Sequence, residues 1–189
     1  MRALQFCVLV LLTAGFITVA QAQTEKPFPT DDEINLLLTQ TERAIQEYKP
    51  LIDQEESQMG KSYAEAVAKD RQVVNALETA VKAFKSKPQA FNGPLGFIFF
   101  GWLDDADRNA LLCASGASLQ ASQADTVDRA STLLHLAQNC QASSTLIYTV
   151  SENANSLYGK YVEAEAQLAE QAAEAVQKCT DILKRNSKK

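Results

Sequence analysis

Apolar side chains recur every three or four residues along most of the chain, and no stretch alternates with the period of two that a half-buried strand requires. Thr30-Asp31-Asp32-Glu33 has the form of a capping box, so a helix should start there. Ile34, Leu38, Thr41, Ala44, Ile45, Tyr48, Ile52 and Met59 follow at a mean spacing of about 3.5, which suits a long helix packed nearly parallel to its neighbours. Pro50 falls inside this pattern and is expected to kink it, because proline removes one helical hydrogen bond and crowds the preceding turn. Gly60 should end the helix. A second capping box, Ser62 to Glu65, introduces the next stripe, formed by Val67, Val73, Val74, Leu77, Val81 and Phe84. Lys82, Lys85 and Lys87 surround its C-terminal turns and Pro88 closes it. So short a connection makes the two helices antiparallel.

Residues 89–94 form the clearest loop, and Pro94 is suited to the first turn of a third helix reaching about Ser122. Alanine and serine fill the second half of that helix and permit close helix contact. A hinge follows at residues 122–125, where Ser122 and Asp125 are both candidate caps. Beyond it a stripe runs through Leu133, Leu136, Cys140, Ile147, Val150, Ala154, Leu157, Tyr161, Ala164, Leu168, Ala175 and Ile182. As one straight helix this final part would extend ~90 Å. A break is therefore expected at residues 143–145, at residues 151–156 or at Gly159, all poor helix formers. The fold class that follows is all-α, an antiparallel bundle of four or five long helices.

The N-terminus changes the picture. Arg2, an apolar stretch from Phe6 to Val19 and the small-x-small sequence Ala20-Gln21-Ala22 together make a secretory signal peptide over residues 1–22. The bundle is then a single domain over residues 23–189, periplasmic or secreted. Its apolar run is too short to span a bilayer comfortably. The formal charge of the whole chain is −5, and losing Arg2 makes it more negative still, so there is no electrostatic footprint for nucleic acid. Lys184, Arg185, Lys188 and Lys189 read as cations complementing the negative end of the last helix.

Cys7 precedes the cleavage site and departs with the leader. Cys113, Cys140 and Cys179 remain in a compartment that permits disulfides. If the third and fourth helices form a hairpin about residues 122–126, Cys113 and Cys140 lie at nearly matching heights, and a bridge between them needs the fewest assumptions. Cys179 is left free or intermolecular.

Catalytic and metal chemistry find little to work with. His135 is the only histidine, set between leucines, and reads as a core or boundary residue, because a triad or zinc site needs several converging groups. Met59 and His135 would sit about 15 Å apart along the bundle axis, too far for opposite axial haem ligands. Asp104, Asp105 and Asp107 lack the glycine and terminal glutamate of a calcium loop, and Asp104 lies one helical turn before Arg108. No cofactor is expected, and the chain is read as non-enzymatic.

One segment departs from an ordinary bundle. Phe91, Phe97, Phe99, Phe100 and Trp102 place five aromatic side chains within twelve positions, and on a helix residues 97–103 point in every direction. Either this turn is buried centrally or it presents a patch. The expected function is an exported interaction or structural module with a protein partner. The alternative is a membrane surface or an apolar ligand met by Phe97, Ile98, Phe99, Phe100 and Trp102.

Overall fold

The computed structural model describes residues 27–186. The signal peptide over residues 1–22, and Lys188 and Lys189 with it, lie outside the described residues. Four long helices follow in order, α1 (Asp31–Met59), α2 (Ala64–Ser86), α3 (Pro94–Ser122) and α4 (Val127–Asn186), with short 3-10 turns at Lys61–Tyr63 and Pro88–Phe91. Among the described residues there is no strand, and no helix is long and apolar enough to cross a membrane. The protein is an all-α bundle.

α1 begins where the capping box places it. The Glu33 amide donates to Thr30 Oγ1 at 3.2 Å while the Thr30 amide donates to Glu33 Oε2 at 3.0 Å, and Asp31, Asp32 and Glu33 face the positive end of the helix. Thr30→Ala is expected to cost about 1 kcal/mol, measurable by chemical denaturation as a lower midpoint at unchanged slope. Pro50 is exposed and lies within α1, which continues past it to Met59. The carbonyl it deprives of a donor belongs to Gln46, also exposed, so solvent has access to it. Gly60, at φ +78°, ends the helix in a conformation that glycine adopts at least cost.

The second capping box does not form. Ser62 is taken into a 3-10 turn, and α2 starts after Tyr63 without a side-chain cap. Three ion pairs then fix how α2 returns along α1: Glu42 with Lys85 at 2.6 Å, Lys49 with Glu78 at 2.8 Å, and Glu56 with Arg71 at 2.6 Å. Each step of seven residues up α1 is a step of seven back down α2, as an antiparallel heptad pair demands. Exposed pairs of this kind contribute little stability and mainly specify register.

The contacts group residues Pro29–Gly159 into one compact unit, and place Pro27, Phe28 and the chain from Lys160 onward in another. In the first unit α3 and α4 are joined by the expected disulfide, Cys113 to Cys140, with Cα atoms 6.1 Å apart. Asn153 of α4 donates to Gln40 Oε1 of α1 at 3.0 Å, so the fourth helix closes the bundle against the first. The core contains the periodic residues Ile34, Leu38, Ile52, Leu77, Phe84, Leu133 and Leu136. In the second unit the ring of Phe28 lies 6.2 Å from that of Tyr161, and Ala164 is buried.

Two expectations for the last part of the chain are corrected. α4 has no break, neither in the serine-rich stretches nor at Gly159. Thr145 Oγ1 donates to the Gln141 carbonyl and Thr149 Oγ1 to the Thr145 carbonyl, so these hydroxyls are absorbed within the helix, and a lone glycine costs it only about 1 kcal/mol. Nor is Cys179 free, since it too is disulfide-bonded. The helix also starts on a different cap from those expected, with the Arg129 amide donating to Thr126 Oγ1 at 3.3 Å.

Candidate functional site

The aromatic segment divides by helical register. Gly93 and Pro94 start α3 immediately after the 3-10 turn, and Gly96 brings its backbone against the Phe91 carbonyl, where a Cβ would collide. This close approach turns Phe91 inward. Phe84, Phe91 and Phe99 form an edge-to-face trio with ring centroids 5.4 to 6.3 Å apart, all fully buried. Phe97 points away from them, 60% exposed, with its ring 5.8 Å from that of Tyr158. Leu95 and Ile98 are each 45% exposed, while Phe100 and Trp102 are half-buried against the core. Of the five residues singled out by the sequence, Phe99 is core, and Phe97 and Ile98 are surface.

Leu95 and Trp102 lie two turns apart on one side of α3. With Ala76, Thr79, Ala80 and Ala83 of α2 they line an open groove of about 330 Å³. A second groove, of about 600 Å³, runs between α3 and α4 over Ala114, Ser115, Ser118, Leu134 and Gln138. Inside the bundle, Tyr48, Leu77, Leu103 and Ile147 enclose a cavity of only about 10 Å³, room for one water at most.

Beside that cavity is a polar cluster that periodicity alone does not flag. Glu55 of α1 and Asp70 of α2 are each 2% exposed. Both occupy core positions of their stripes, Glu55 between Ile52 and Met59, Asp70 between Val67 and Val74. Among the described residues no cation acts on either. The two cations that flank Asp70 in sequence are turned outward: Lys69 pairs with Glu65 at 3.0 Å, and Arg71 is held by Glu56 and Asp53, whose hydrogen bonds keep its guanidinium firmly charged and lower the Glu56 carboxyl. Burial first, and then the charge of Asp70, push Glu55 up to about 8. Burial also raises Asp70, offset in part by the Glu55 carboxyl, the Tyr48 hydroxyl and the Asn109 amide of α3 as hydrogen-bonding neighbours. The Tyr48 hydroxyl is raised by burial and by both carboxylates. These approaches are loose, since neither Tyr48 Oη nor Glu55 Oε2 has a partner at good hydrogen-bond geometry.

The remaining candidates take ordinary roles. His135 is exposed, which corrects its placement in the core or at its boundary: Leu133, Leu136 and Ala137 take the inward positions of α4 and the imidazole falls between them on the outer face. Met59 is buried with its methyl near Gly116, in surroundings unlike those of that solvent-facing imidazole. Arg108 pairs with Asp104 at 3.1 Å and lies 3.9 Å from Asp105, while Asp107 accepts a hydrogen bond from Ser144 Oγ at 2.5 Å. Among the described residues no three His, Cys, Asp or Glu side chains converge as metal ligands. No family model matches the chain, and neither a curated protein nor a solved structure matches it.

Proposed function

We propose that the protein is an exported, non-enzymatic helical module that docks a protein partner along the groove between α2 and α3. The observation that carries this reading is the pairing of two apolar side chains of α3, Leu95 and Trp102, with the small side chains Ala76, Ala80 and Ala83 of α2. An alanine floor lets a partner's backbone approach closely, and an aromatic wall supplies the kind of anchor that dominates interface energetics. Export rests on the leader sequence and agrees with a buried disulfide in the bundle. The test is capture of partners from the exported fraction by the immobilised protein, run beside Leu95→Asp in the wall of the groove. A partner retained by the parent and lost by the variant supports the groove, and equal capture by both overturns it.

Phe97 and Ile98, exposed at the start of α3, favour one other reading, a membrane surface or fatty ligand in place of the protein. Trp102 is the only tryptophan and reports on it. Under the docking reading its emission stays unchanged when liposomes are added. A blue shift lost in Phe97→Ala would transfer the function to lipid.

A further inference from the structure

We propose that Glu55 and Asp70 form a proton-operated latch between α1 and α2, closed when the two carboxyls share one proton and loosened when that proton leaves. Its basis is the placement of the two acids. Each is almost fully buried, they come from adjacent helices, and the nearest arginine is occupied outside. Two carboxylates cannot both ionise in such a setting without mutual repulsion and the full cost of desolvation. With one proton between them, the protonated group donates to its neighbour and a single negative charge remains.

The surroundings define what the latch answers to. From α1 itself the neighbour is the Tyr48 hydroxyl, which is held neutral and available as a donor. From α3 it is the uncharged amide of Asn109. No titratable group of α4 acts on either acid. Among the described residues the flanking cations Lys69 and Arg71 are paired with other carboxylates and no ion pair compensates a second negative charge, and the unpartnered Tyr48 Oη and Glu55 Oε2 leave the closed state only loosely held. Loss of the proton therefore acts on the α1–α2 contact.

The sign is opposite to ordinary acid denaturation. Between the usual carboxyl range and about 8, the folded chain keeps a proton on Glu55 that the unfolded chain has lost. Stability contributed by this pair is thus full below the unfolded value and declines as pH rises toward the folded one, Asp70 adding in the same direction.

The experiment is thermal unfolding of the whole protein from about pH 5 to about pH 9, with Glu55→Gln and Asp70→Asn measured alongside, and carboxyl carbon resonances followed in the parent. The expected result is a midpoint that falls by several degrees across that range in the parent, most of the slope being lost in each variant. One side-chain carboxyl resonance titrates near neutrality or above. Amide exchange around residues 52–56 and 67–71, corrected for intrinsic base catalysis, should accelerate over the same range. If both variants unfold too readily to compare, the parent's resonances decide. Ordinary titration of every carboxyl would overturn the latch, as would an unchanged slope in both variants.

Discussion

Phe99→Ala is expected to destabilise the protein by about 4 kcal/mol, and Phe97→Ala, two residues away on the same helix, by less than about 1 kcal/mol. The difference lies in what surrounds each ring. Phe99 has no exposed surface and meets Phe84 and Phe91 edge to face, so truncation removes both the transfer energy of the ring and its aromatic contacts. The cavity left behind cannot close by a shift of α3, because Gly96 already holds that helix against the Phe91 carbonyl. Phe97 keeps more than half its surface in water and loses one tilted contact with Tyr158. Denaturant unfolding of the two variants checks the pair. Similar losses in both would mean that Phe97 is also covered, and would remove the exposed end of α3 from any account of binding.

That contrast shows how far the sequence carries and where it stops. The stripes of α1 and α2 were legible because burial follows the helical period: Ile34, Leu38, Ile52, Val67, Leu77 and Phe84 are all in the core. The same rule separates Phe99 from Phe97 once the start of α3 is known, yet the dense aromatic run conceals it when hydrophobicity is the only signal. Glu55 and Asp70 escaped for a different reason. Charged residues are assigned to the solvated face by default, although both stand at inward positions between apolar neighbours a turn away on either side. A charge in phase with the core stripe was the available signal. The continuity of α4 was hidden because propensity is summed residue by residue, whereas tertiary packing decides the outcome: Ser143, Ser144, Ile147, Val150, Ser151 and Ala154 are all buried through the stretch of poor helix formers. The α2–α3 groove had no linear signature at all, since its floor and wall come from helices whose lateral rotation appears only once both are packed.

The disulfide gives the second large effect. Replacing Cys113 and Cys140 together by alanine should lower stability by about 3 to 4 kcal/mol, the loop-closure entropy returned to the unfolded chain by a bridge across a separation of 27 residues. In a chain of this size that corresponds to a fall of roughly 10 °C in the unfolding midpoint. Alanine is the proper substitute, because both sulfurs are buried and a serine would add the cost of an unsatisfied hydroxyl. The double variant also separates this bridge from the one that holds Cys179, which a reductant would break at the same time. Non-reducing peptide mapping supplies the structural half of the test: a fragment joining Cys113 to Cys140 must disappear on reduction. Recovery of Cys140 joined to Cys179 would instead reject the α3–α4 hairpin register. If the double variant keeps the parent's midpoint, the bridge contributes nothing to stability, and apolar burial together with the Ser144–Asp107 hydrogen bond holds α3 to α4.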